Sequence, residues 1–456
     1  MKDSKAIKEF KIDKAIYSEL SKGEMKTLPL LAKAANILAS IYADQEQGYT
    51  KFPGANFYPH DVSNQEIEKA ASINPEILSP YTVVEKSAKG IVAIPYHFKY
   101  KDSLQKISKL LYQASKISNK KIFSDYLKTA SESLLSGDYK RMDLAWLATN
   151  DSNLQFLIGP YERYLDKRFF KKMAYLAFIG IKDPSYTKKA QEIRDIILNS
   201  VGDKPHYVIS PSKIQICPVR NILFAGFLSR SVFSFELIPS DDQTIKESGS
   251  RLLSYLSSID YKFDKLLYPI FNNIFDKRFK ESYSEDLLRK ANYDLVTVYG
   301  LARQIHHYEG SRERLKELLP VFEEISSIVS GNQHCKHLVL KGAIGQKELE
   351  AIIIMHICWL FSEWIISKKT NVREDYLKGD AIALNFLIKE GALKEKEGIS
   401  WPNFAKMFFE MENLSIILNR LLENGSYSEA QGFLSKYLSY APFEVFDRRL
   451  SRIKPI

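Results

Sequence analysis

The side chains best suited to holding a transition metal gather in two short runs. His306, His307 and Glu309 form one, His334, Cys335 and His337 form the other, and the acidic pair Glu323 and Glu324 lies between them. Imidazole, thiolate and carboxylate are the usual ligands of zinc, and three of them with a bound water make a hydrolytic centre. Spacing weighs against this reading. Neighbouring residues on a helix point about 100° apart, so His306 and His307 do not readily share an ion. The second run follows Gly331-Asn332, a turn signal, where surface polar residues are expected. His60, His97, His206 and His356 stand alone and read as structural histidines. Cys335 and Cys358 have no Cys-His spacing around them, and Ser229, Ser231 and Ser234 have no nucleophile-elbow glycines. No glycine loop of the phosphate-binding type occurs.

The elements that would position these groups are mostly helical. Apolar residues recur at three and four spacing over 104–127, from Glu132 onward, and over 174–181 and 190–198. Two regions differ. Residues 90–95 (GIVAIP) form a short apolar run bounded by Gly and Pro, as a buried strand would be, and 206–239 is β-branched, aromatic and proline-punctuated, with alternation over 229–237. After Asp241 the pattern is helical, with breaks at Gly310-Ser311, near Gly331-Asn332, at Gly391 and at Gly425. The most apolar stretch, 351–361, ends at Ser362 and Glu363. It reads as a core helix too short and too polar at its end for a bilayer, so no membrane partner is expected.

A chain of 456 residues is long for one core, so two lobes are the natural prior. With 45% hydrophobic and 26% charged residues the composition is that of an ordinary globular protein. The net charge of +10 is spread along the chain, with no signature of nucleic-acid binding beside it, and so reads as solvated surface. Three cysteines cannot form a disulfide framework, and residues 1–14 lack the apolar run of a secretory signal. Both point to a reducing, cytoplasmic setting.

Five segments, in order, resemble the short bacterial and Nudix-associated branch of the dipeptidyl peptidase III-like metallopeptidases. They are 90–96 (GIVAIPY, preceded by Asn74-Pro75 and by PYTVV at 80–84), 158–183 (IGPYERYLDKRFFKKMAYLAFIGIKD), 262–270 (KFDKLLYPI), 315–324 (LKELLPVFEE) and 378–392 (KGDAIALNFLIKEGA), the last continuing to Tyr437. The resemblance covers most of 50–440. It implies an α+β, mainly α-helical fold of two lobes with a wide cleft. The lower lobe, with the small sheet, would be 1–170 plus 200–240, and the helical lobe 171–199 plus 241–456.

The family holds zinc through a motif close to HExxH and a glutamate on the next helix. Two imidazoles at i and i+4 share a face, and the intervening Glu activates the metal-bound water. Counted back from 316–318, that motif falls on Tyr299-Gly300-Leu301-Ala302-Arg303. Tyr299 and Arg303 stand at the histidine positions and Gly300 at the base. A guanidinium has no lone pair to give and repels a divalent cation, while glycine carries no carboxylate. The third-ligand position falls on Glu323-Glu324, whose supporting acid is replaced by Ile328. A further family segment, with a histidine and an arginine near a Gly-Asn pair, aligns with Tyr376, Lys378 and Asp380.

These losses predict a catalytically silent peptidase homologue with no cofactor, binding a peptide or protein segment in the cleft. Glu162, Tyr164, Glu323, Glu324, Lys378 and Asp380 are the candidate contacts. Glu324 is expected to point inward and pair with Arg303, with Tyr299 bonded nearby. The competing reading is an active zinc hydrolase with displaced ligands, drawn from His306, His307 and Glu324 or from His334, Cys335 and His337. A third is a binder of nucleic acid or another acidic partner.

Overall fold

The computed structural model describes residues 6–88, 90–202, 207–368, 374–396 and 399–456. His206 lies outside them. The chain is mainly helical with a curled sheet, and it divides into two compact units. The first comprises 1–183, 219–231 and 238–244, the second 184–218, 232–237 and 245–456.

In the first unit, Leu154–Glu162 and Ala174–Lys182 pair antiparallel, with Phe156 opposite Ile179. Ala174–Lys182 pairs in turn with the end of Ile214–Gly226, which also takes Ile7–Glu9 on its other edge. Residues 174–181 are therefore strand, not helix. Every residue from Ala174 to Ile181 is buried, and a short, wholly apolar run satisfies helical and strand spacing equally. This strand carries the unit boundary to Asp183, beyond the residue 170 expected from sequence. The reading of 90–95 as strand holds: Gly90–Pro95 pairs with Thr82–Ser87.

The family-like stretch between the two long strands is organised by one carboxylate. Asp166 accepts the backbone N–H groups of Arg168, Phe169, Lys171 and Lys172 at 2.9–3.1 Å and the Tyr58 hydroxyl at 3.0 Å. Lys172, fully buried, donates to Ile77 O, Ser79 O and Thr82 Oγ1 at 2.6–2.9 Å. Helix Lys22–Glu46 opens on a capping box of Ser21 and Glu24. The same Glu24 carboxylate accepts from Ser152 Oγ, Asn153 N and Leu154 N, tying the helix to the first strand.

In the second unit, Ser250–Tyr255 lies between the start of Ile214–Gly226 and Phe235–Ile238 in sheet order. This departs from two expectations, since the chain after Asp241 is not purely helical and the sheet is not confined to the first unit. The run SRLLSY is buried at every position, and its three apolar residues carried too little periodicity to be seen. Within 229–237, only 235–237 extend as strand. Residues 227–230 form a 3-10 turn. A hairpin, Leu393–Lys396 with Ile399–Pro402, follows the break expected at Gly391.

The long helices Glu285–Ile305, Leu319–Leu340, Gln346–Ser367, Glu374–Lys389 and Phe404–Asn424 share one apolar core. No break occurs at Gly331-Asn332, which sits inside Leu319–Leu340. A Cβ on Gly331 would stand 3.0 Å from the backbone of Val298 and Tyr299, so this glycine lets two helices touch. His334 and Cys335 are accordingly buried helix residues, not surface turn residues. Gln346–Ser367 is long and apolar enough to cross a membrane, beyond the 11-residue run expected, but 89% of its most apolar window is buried within the fold. Its polar end is buried as well: Glu363 accepts from Lys262 at 2.9 Å, with the side chains 2% and 0% exposed.

One buried acid makes folding pH-dependent. Asp143 accepts the Tyr161 hydroxyl at 2.8 Å, and burial, assisted by the nearby Asp241 charge, raises its carboxyl from 3.8 to about 7. Between those values the folded state keeps a proton that the unfolded chain has lost. Stability from this residue therefore falls as pH rises through the window and is level above about 7. Asp143→Asn should remove that slope. Chemical denaturation at pH 4 to 7 should show the variant gaining on the parent by about 1.4 kcal/mol per pH unit. A stability difference independent of pH would contradict the assignment.

Candidate functional site

The chemistry expected from sequence converges where Glu285–Ile305 crosses Leu319–Leu340. The first helix starts at Ser284, whose hydroxyl accepts from Leu287 N at 3.2 Å, and is buried almost all round from Asp294 to Ala302. The second begins with Pro320 in its first turn, where a missing N–H costs nothing. Their crossing brings Tyr299, Arg303, Glu323 and Glu324 together. The Tyr299 hydroxyl donates to Glu324 Oε2, and Arg303 Nη1 donates to Glu324 Oε1. Arg303 Nη2 also reaches Glu323 Oε2 at 3.2 Å. Glu324 is 5% exposed and the Arg303 side chain 17%. The inward orientation of Glu324 and its pairing with Arg303 are thus as expected.

Packing fixes this cluster. The Tyr299 ring meets Phe235 edge-on at 4.8 Å and Trp359 at 6.2 Å. Burial first, then the Glu324 carboxylate, push the Tyr299 phenol well above its ordinary range, so it stays a donor. Trp359 is held in turn by its indole N–H on Asn292 Oδ1 at 2.8 Å and by Lys262 Nζ, 3.6 Å above its ring. Gly379 presents no side chain to Val321 O and Glu324 Cβ, 3.3 and 3.5 Å from where a Cβ would stand. That allows Glu374–Lys389 to pack closely on Leu319–Leu340 beside Glu324.

Gly300 faces the other way. A Cβ there would lie 2.6 Å from Cδ1 of Leu252, a fully buried strand residue. The volume a general-base carboxylate would need is filled by that leucine. Lys262, Glu363, Trp359 and Leu252 were not singled out from sequence. The only signal for Glu363 was a charge ending an apolar run.

The remaining candidates separate. Tyr376 is near enough to raise the Tyr299 phenol, and Lys378 pairs within its own helix with Glu374 at 2.7 Å. Asp380 is half-buried on that helix. Glu162 and Tyr164 belong to the first unit, where the Glu162 carboxylate accepts the Tyr164 N–H at 2.9 Å. His306 and His334 do come together, Nε2 to Nε2 at 3.1 Å, with ring planes within 6° and centroids 5.3 Å apart. Nearly coplanar rings meeting head-on share a proton. Ligands of one ion would converge at an angle. The backbone carbonyl of His307 accepts from Val208 N, the Cys335 thiol bonds Gly331 O at 3.5 Å, and the His337 ring lies 6.3 Å from His334. Among the described residues, no three His, Cys, Asp or Glu side chains form a metal-holding group.

No family model matches this chain. Over 98% of its length it is 24% identical to Nudix hydrolase 3 of Arabidopsis thaliana, and it spans 63% of that protein. Two solved structures share the fold. Dipeptidyl peptidase III from Caldithrix abyssi superposes with a TM-score of 0.82 at 23% identity, covering 98% of this chain and 97% of the other. Dipeptidyl-peptidase III from Corallococcus sp. strain EGB gives 0.85 at 22% identity, covering 98% and 94%. The chain therefore has a dipeptidyl peptidase III-like fold. The residues at Tyr299, Gly300 and Arg303 do not fit the zinc that the resemblance implies: one is a permanent cation, one a protonated phenol and one has no side chain.

Removing Arg303 alone would strand a buried carboxylate. Arg303→Ala should lower stability by about 3 kcal/mol, the lower part of the range for breaking a buried pair, because the side chain keeps some solvent contact. Arg303→Met combined with Glu324→Gln should cost less than Arg303→Ala. Equal or additive losses in denaturant titrations would show that the two residues do not act as a pair.

Proposed function

We propose that this chain is a catalytically silent peptidase homologue that acts by binding a peptide or protein segment. The observation carrying this is the Arg303–Glu324–Tyr299 cluster, in which a guanidinium pairs with the carboxylate that the family resemblance assigns as a metal ligand. A fixed positive charge next to the would-be ligand carboxylate opposes metal entry electrostatically, and Leu252 occupies the side from which a base would act. The dipeptidyl peptidase III-like fold supports descent from a peptide-binding scaffold, and Tyr376, Lys378 and Asp380 lie on the helix that packs against Glu324. The similarity to Nudix hydrolase 3 supports placing it near the Nudix-associated branch. Three buried free cysteines suit a reducing, cytoplasmic setting.

The protein, purified without chelators, is expected to carry well under one equivalent of zinc by elemental analysis. It is also expected to leave dipeptidyl naphthylamides uncleaved with or without added zinc or cobalt. One equivalent of tightly held metal together with chelator-sensitive cleavage would overturn the proposal in favour of an active metallohydrolase with displaced ligands.

A further inference from the structure

One pair of helices in the first unit carries its exposed charge almost entirely as lysine. Lys22, Lys26 and Lys33 lie on Lys22–Glu46, and Lys106, Lys109 and Lys116 on Lys101–Ile117. All six are exposed, and none takes part in an ion pair among the described residues. Asp102 is the one exposed acid on either helix, and Lys101 stands beside it. Leu31, Ala35 and Leu38 of the first helix and Leu104, Ile107 and Leu111 of the second turn to the core, leaving the lysines on the solvent side.

The two helices pack directly on each other and run antiparallel. At one end Ser21 Oγ meets Asn119 Oδ1 at 2.8 Å. At the other stands Tyr100, whose phenol is raised by burial and then by the adjacent Asp44. Lys33 lies about midway between Ser21 and Asp44, and Lys109 about midway between Tyr100 and Asn119, so the two are level. Lys26 and Lys116 are each seven residues nearer the Ser21–Asn119 end, which is about two turns. They are therefore level as well. Packed helices stand about 8–10 Å apart, close to the Debye length at physiological ionic strength, so the fields of the two rows add. Positive charge that looks dispersed along the sequence is gathered by the fold onto one face.

The face fits an anion whose charge is spread over a surface. Neither helix carries an arginine, so a carboxylate or phosphate cannot be read bidentately there. Tyr112, 46% exposed, has Lys116 Nζ 4.9 Å from its ring centroid, which closes that ring face to a stacking base. Met25 and Ile117, 42% and 41% exposed, adjoin Lys26 and Lys116. Apolar side chains among lysines suit the headgroup boundary of a bilayer better than a sugar-phosphate backbone. We propose that this lysine face docks the protein on an anionic lipid surface. The contact is peripheral, needs no spanning helix, and complements the negative charge of a cytoplasmic leaflet.

Co-sedimentation with phosphatidylcholine vesicles, with and without phosphatidylserine, tests this. The protein should pellet with the phosphatidylserine vesicles, stay in solution with pure phosphatidylcholine, and be released as salt is raised. Lys33→Glu combined with Lys109→Glu should weaken binding at least about tenfold, with an unchanged melting temperature because both positions are exposed. The same charge change at Lys394 and Lys406, exposed lysines of the second unit, should leave binding nearly intact. Equal pelleting with both vesicle types, no pelleting with either, or equal losses in the two double variants would each overturn the proposal. So would binding of an RNA oligonucleotide that Lys33→Glu with Lys109→Glu abolishes while vesicles go unbound, which would assign the face to nucleic acid.

Discussion

A carboxyl group buried between helices needs either a proton or a positive charge within reach, and Arg303 supplies the charge to Glu324. In water an ion pair of this kind is worth little, but the desolvated Glu324 makes its partner obligatory. Much of the surrounding packing serves that contact. Gly331 lets the two helices approach at Tyr299, Gly379 lets a third helix close on Glu324, and Phe235 and Trp359 hold the Tyr299 ring so that its hydroxyl stays on the carboxylate. Lys262 and Glu363, buried beside Trp359, form a second ion pair in the same core.

The same constraint separates fold from chemistry. A zinc hydrolase needs lone pairs converging on an ion and a base beside the bound water. Here the groups that converge on the Glu324 carboxylate are a cation and a phenolic hydroxyl that donates to it. The core around them closes through apolar packing, and a guanidinium supplies the charge that the carboxylate requires. The two imidazoles that do meet, His306 and His334, lie head-on at hydrogen-bond distance and so tie the same two helices together.

Much of this was legible in sequence. Tyr299 and Arg303 on one predicted helix, set against Glu323-Glu324 on the next, pointed to the pairing because charge neutrality in a buried site leaves few options. The strand at Gly90–Pro95 was bounded by its own Gly and Pro. Other features were not readable, for reasons that lie in the sequence itself. Residues 174–181 are apolar throughout, so periodicity could not choose between helix and strand, and Ser250–Tyr255 is too short to show any. Gly331-Asn332 has the composition of a turn, but its glycine serves a helix contact made in three dimensions. Glu363 and Lys262 are 101 residues apart, and no local pattern links them.

The central claim is that Arg303 occupies the position of the metal. Crystals soaked in zinc, with diffraction recorded on both sides of the zinc absorption edge, test it most directly. The account predicts no anomalous peak at Glu324 and a guanidinium in hydrogen-bond contact with its carboxylate. An anomalous peak within coordination distance of Glu324, with Arg303 swung away, would contradict it.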